Sequence, residues 1–328
     1  ITITDSGVVG NAGNTSFTAD GISISGAVIN QGGSTFSASG SISNSGIVSN
    51  NDNASFSAID ISNSGAISNQ GSLTFSAEGS ITISDLVGNT GDASFSANAI
   101  DISGAIINQG SSTLSADGNI TVSGVVGNAG NTGFTADGIS ISGSVINQGN
   151  LTLTASGNIN TSELVSNQGT TTFIADQNIS ISGTIENQQE LTLTALGSID
   201  ISAPIVGQNN GSSLTITAGD NISISNYLVT DDGEINLTAT AGAVSATGGY
   251  GIYAGTAPIS ITQQNSLAID YPFVTTGSLS LNSTAASINI LNGIGSDIGN
   301  LSLLASDDIN ISAPIVSHKS GTSVIATV

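Results

Sequence analysis

The sequence predicts an all-β protein, a right-handed parallel β-helix with about 19–20 residues in each coil. Three observations carry that expectation. The stretch GVVGNAGNTSFTADGISISGAVINQG at residues 7–32 returns at 124–149 with two changes, Ser16 to Gly133 and Ala27 to Ser144. Asn recurs at a near-constant interval, at Asn11, Asn30, Asn50, Asn69, Asn89, Asn108, Asn128, Asn147, Asn167 and Asn187. Apolar residues keep fixed offsets from that Asn: Val or Ile two before, Ile eight before, Phe or Leu six after.

The offsets define the unit. Ile22, Ile24, Val28, Asn30, Phe36 and Ala38 share parity, and Ser or Thr fills many of the intervening positions. Alternation of that kind is the period of a strand with one buried face. The glycine content and the β-branched bias argue against helix. Each unit therefore reads as two or three short strands, with turns at NQG and at ADG or ASG. A coil this short cannot bury its apolar face alone, so coils must stack on one another. About 16 coils rising ~4.8 Å each would span on the order of 75 Å.

Stacking implies ladders of identical side chains. Phe36, Phe56, Phe75 and Phe95 are expected to form an inward column. Asn30, Asn50, Asn69, Asn89, Asn108, Asn128 and Asn147 are expected to bond amide to amide and to turn backbone. The extra residue of each longer unit falls between the Phe or Leu and the next Ile, marking a tolerant turn. Six units lead from Gly7 to Gly124, so the opening copy is a duplication of six coils.

Regular coils are expected over 1–230 and irregular coils of the same solenoid over 231–328. The second part contains GGYGIYAGTAPISITQQNSLAIDYPF at 248–273, with three of the four Tyr residues. Strand-like pairs then return as SLSLN, SINIL and NLSLL, and DINISAPIV at 308–316 echoes IDISAPIVG at 199–207.

Composition narrows the function. There are 23 Asp and Glu against one Lys and no Arg, for a net charge of −22. Nothing basic is available to neutralise phosphates, so nucleic-acid binding is not expected, and anionic membranes are disfavoured. No apolar run approaches the length of a membrane span, so no membrane insertion is expected. Cysteine is absent and gives no disulfide framework. The chain opens on Ile1 without a leader pattern and reads as a mature piece or a fragment of something longer.

Coils such as GSLTFSAEGSITIS and GNLTLTASGNINTS resemble the passenger regions of filamentous-haemagglutinin-like exoproteins, adhesins of the two-partner secretion pathway. The resemblance is one of repeat style and extends over nearly the whole chain. The secretion domain with NPNG-type signatures is not found in this sequence. The resemblance implies an extracellular rod on a bacterial surface, used in adhesion or in building a surface layer.

Candidate sites are few. His318 and Lys319, the sole His and sole Lys, have no partner motif and read as an exposed turn. Asp231, Asp232 and Glu234 form the densest acidic cluster, but calcium wants more oxygen ligands, and the GGxGxD repeat is missing. Neither catalysis, a metal nor a cofactor is expected. Tyr250, Tyr253, Tyr271 and Phe273 concentrate aromatic surface that would stack on sugars as a glycan site, or fill a bulge in the solenoid. N-glycosylation sequons recur, as composition alone demands. An ice-binding face would need regular Thr-x-Thr rows, whereas ISIS, IDIS and INTS mix Ser, Thr, Asp and Asn.

The expected function is a non-catalytic structural rod of a secreted adhesin or surface filament. Its expected partners are other copies or further repeats of the same fibre, and host or neighbouring-cell glycans or proteins. The strand-like ends, ITIT and SVIATV, lack a capping helix and fit a segment of a longer rod or a subunit stacking end to end.

Overall fold

A computed structural model of the protein describes residues 1–247, 251–291, 294, 298–316 and 321–328. Every regular element among them is a β-strand, and the strands pair in parallel, so the expected β-solenoid is the fold. The chain divides into two compact units, Ile1–Ala155 and Ser156–Val328.

The first unit is built of eight coils, each with three strands, beginning at Thr2–Ile3 and ending at Leu151–Ala155. In the second coil the strands are Ile22–Ile24, Ala27–Asn30 and Ser34–Ala38. Each pairs with its counterpart one coil on, placing Ile22 opposite Ile42, Val28 opposite Val48 and Phe36 opposite Phe56. Two residues separate Ala38 from the next strand at Ser41 but only one separates Ala58 from Asp60. That turn is where longer and shorter coils differ, and the ladders pass it without a slip.

Because identical residues stack, the interior consists of columns. Phe17, Phe36, Phe56, Phe75 and Phe95 lie in register with ring centroids 4.6–5.1 Å apart and planes within 13° of parallel. That separation is the coil rise, so the backbone repeat sets the ring spacing. Leu114, Phe134 and Leu153 continue the column. Close backbone stacking also explains glycine in the turn between the first two strands. A Cβ on Gly124 would lie 1.8 Å from the Gly104 carbonyl oxygen, although Asp85 occupies the same place in its own coil.

One interior column departs from the apolar pattern. In register with Ile24 and Ile83 stand Asn44 and Asn63, both buried, with Asn44 donating to Asn63 Oδ1 at 2.7 Å. Asn44 Oδ1 has no partner, because its neighbour on the other side is Ile24. In the second unit, Thr161 Oγ1 is likewise buried and unpaired, with Ile181 beside it in register. An unpaired buried hydroxyl costs about 1–3 kcal/mol. Thr161→Val should therefore raise stability by roughly 1 kcal/mol. A chemical-denaturation midpoint that falls instead would mean the hydroxyl has a partner.

The second unit starts as regularly, with Ile159–Thr161, Val165–Asn167 and Thr171–Ala175. From Leu193 onward its third strands are spaced unevenly, through Ile216, Leu237, Ile261, Leu281 and Leu303. The surplus sits in turns. A register shift lies between Val206 and Asn210, and Gly211, Asp232 and Gly255 take positive φ of 83°, 56° and 53°.

Candidate functional site

The Asn column forms as its spacing predicts. Asn30 donates to Asn50, Asn50 to Asn69, Asn69 to Asn89, Asn89 to Asn108, Asn108 to Asn128 and Asn128 to Asn147, at 2.8–3.3 Å. Each amide has a second task at its own turn; Asn69, for example, donates to the carbonyls of Gly71 at 2.7 Å and Ser72 at 3.2 Å. The column satisfies turn carbonyls that burial would otherwise leave unpaired. In the second unit it stops at Asn187, whose neighbour in register is Gly207, and Asn187 Nδ2 is left without a partner. Thr230 then bonds its own turn, donating to Gly233 at 2.6 Å.

A second pattern repeats over two coils. Asn14, Asn53, Asp92 and Asn131 stand in alternate coils, in the turn after the Asn column. Their Oδ1 atoms accept the backbone N–H of Gly33, Ser72, Ser111 and Asn150 in the following coil at 2.8–2.9 Å. The structural repeat of the first unit is thus a pair of coils, as from Asn14 to Asn53.

The three outward faces of this unit differ in chemistry. The first carries carboxylates such as Asp60 and Asp101 among Ser and Thr. Ser80 donates to Asp60 Oδ1 from both its hydroxyl and its backbone at 2.8 Å, which holds that carboxyl below its ordinary value. The associated stability is present above the ordinary carboxylate pKa and fades as pH falls below it; full exposure keeps it small. The third face, flanking the Phe column, presents Ser and Thr at both outward positions of every strand except at Gly133. Reading the first strands alone misses these rows; the residues on either side of each Phe contain the signal.

The second face is aliphatic. Two residues of each second strand point outward. In alternate coils they are Val8 and Gly10, Ile47 and Ser49, Leu86 and Gly88, Val125 and Gly127. In the coils between, the order inverts to Ala27 and Ile29, Ala105 and Ile107, Ser144 and Ile146, while Ala66 and Ser68 are both small. The large residues are 37–67 % exposed. None of the eight strands holds a charge.

Of the two readings of the aromatic group, the sugar-stacking surface fails for Tyr271 and Phe273, which fill the interior. Tyr271 and Phe273 are core residues, 2–3 % exposed, with rings 5.0 Å apart, so neither is placed to stack on a sugar at the surface. Burial pushes the Tyr271 phenol up, and its Oη has no hydrogen-bond partner. Phe273 stands in register with Ile252, filling the place of the column Val or Ile. Tyr250 lies outside the described residues, as do His318 and Lys319. Tyr253 is half-buried, and Tyr227, which the sequence reading does not single out, lies beside it with centroids 5.8 Å apart. Register alone does not point to Tyr227, because the residue opposite Tyr253 is Val229 and Tyr227 reaches the ring from two residues earlier in its coil.

The acidic cluster is a turn. Asp232, at positive φ, accepts the Thr256 N–H at 2.6 Å. No group of three or more His, Cys, Asp or Glu is placed to hold a metal among the described residues. Glu163 and Glu186 border an open depression of about 330 Å³ shared with Ser162, Ser182 and Thr184. No helix of the described structure is long and apolar enough to cross a membrane. Comparisons with protein-family models, curated proteins and solved structures find no match to this chain.

Proposed function

We propose that this chain is a structural segment of an extracellular rod, part of a secreted bacterial adhesin or surface filament. The observation that carries the reading is the ladder itself. A column of Phe or Leu runs in register through the eight coils of the first unit, and the Asn amides are bonded one to the next from Asn30 to Asn147. Such a stack is stiff along its axis and repeats without favouring any one coil as a centre for chemistry. The coil style shared with filamentous-haemagglutinin-like exoproteins supports the same reading.

Immunogold electron microscopy of intact producing cells tests it. Label along filaments or stalks at the cell surface is the expected outcome; label confined to the cell interior would refute the proposal.

A second reading, glycan binding, is favoured only by the Tyr227–Tyr253 pair. If it holds, Tyr227→Ala with Tyr253→Ala should lower glycan-array signal at least about tenfold while leaving the melting temperature unchanged. Unaltered signal would remove it. The Ser and Thr rows of the third face make thermal hysteresis worth measuring by the same logic, and a flat result would exclude an ice-binding role.

A further inference from the structure

The alternating aliphatic face of the first unit is built to meet itself. We propose that two copies of the chain pair side by side through it, in register and in parallel. Consider the face as eight rungs with two outward positions each. Odd rungs hold a large side chain first and Gly or Ser second; three of the four even rungs hold Ala or Ser first and Ile second. A two-fold axis along the middle of the strip exchanges the two positions on every rung. Leu86 then faces the partner's Gly88, and Ile107 faces the partner's Ala105. Every large residue meets a small one, without any shift along the coil axis. A two-fold interface requires that kind of self-complementarity.

Size and charge fit the same occupant. Eight rungs at ~4.8 Å and four-residue strands at ~3.3 Å per residue give roughly 500 Å² per face, so a pair buries about 1,000 Å², the lower bound for a specific interface. The strip carries no charge in a chain of net charge −22, whose carboxylates in this unit lie in the turns and on the first face. A like-charged copy can approach through this strip with its carboxylates kept at the rim. Glycine here is not a packing necessity everywhere: a Cβ on Gly88 would meet nothing nearer than the Ile67 carbonyl oxygen at 3.8 Å. Its smallness is unexplained within one copy and explained by the Leu86 of another. Gly127 differs, since Ile107 Cδ1 of its own chain lies 3.0 Å from where its Cβ would be.

Sedimentation equilibrium of the full chain tests the pairing, and does not depend on the adhesin reading. The wild-type chain should form dimers that tighten as salt rises, because screening relieves repulsion between the acidic rims. Ile107→Asp should abolish dimers, and Thr113→Asp, on the Ser/Thr face, should leave them intact. Gly88→Val is the decisive variant: it suits a strand and adds apolar surface, yet should weaken pairing at least about tenfold by filling the place opposite Leu86. Circular dichroism and melting confirm that each variant folds. A wild-type chain that stays monomeric to about 1 mM, or a Gly88→Val chain that associates more tightly, would overturn the proposal.

Discussion

Phe75→Ala should destabilise the protein by about 3–5 kcal/mol. Phe75 is fully buried, with Phe56 at 4.7 Å on one side and Phe95 at 5.1 Å on the other. Truncation removes the apolar transfer term and opens a void that the neighbours cannot fill, because parallel pairing on both sides fixes the positions of their strands. The loss should fall at the upper part of the range for that reason: a ring between two rings loses two stacking partners. Thr74 supplies the control. It is exposed on the same strand, one residue away, and Thr74→Ala should cost less than about 1 kcal/mol. Chemical denaturation of the two variants side by side checks the inward and outward assignment. Equal losses would show that the parity, and with it the column, is misassigned.

The interior is legible in the sequence because stacking applies the same constraint in every coil. A Phe at one level is satisfied by a Phe above it, so Phe36, Phe56, Phe75 and Phe95 announce themselves through spacing, and the Asn column does the same. Asn44 and Asn63 escape notice because Asn at a strand end reads as the start of a turn, yet parity turns both inward. Tyr271 and Phe273 stay undecided between surface and interior in the sequence because coils change length from Leu193 onward, and without a constant spacing parity cannot be assigned from letters alone. The outward faces are hardest. Solvent imposes no repeat, so an order spread over two coils, such as Leu86 with Gly88 against Ala105 with Ile107, is invisible when each coil is compared only with the average coil.

Asn69→Ala should cost roughly 2–4 kcal/mol, more than removal of a typical single hydrogen bond. The Asn69 amide donates to Asn89 Oδ1 at 2.8 Å and to two turn carbonyls, while its own Oδ1 accepts from Asn50 at 2.8 Å. Alanine breaks all four contacts at once in a place 2 % exposed, so water cannot replace them without entering the stack. Asn89 Oδ1 and the carbonyls of Gly71 and Ser72 lose their donor, and the turn loses the group that holds it closed. The neighbours are damaged as well as the site, which predicts non-additivity. Asn69→Ala combined with Asn89→Ala should cost less than the sum of the two single losses, because their shared bond can be lost only once. Asn11 offers the contrast: it is exposed, and its amide bonds only its own turn and Thr15, so Asn11→Ala should cost under about 1 kcal/mol. Denaturation midpoints for the four chains decide the matter. Equal costs at Asn11 and Asn69, or strict additivity of Asn69 and Asn89, would mean that the column is a row of independent turn caps and that no coupled ladder joins the coils.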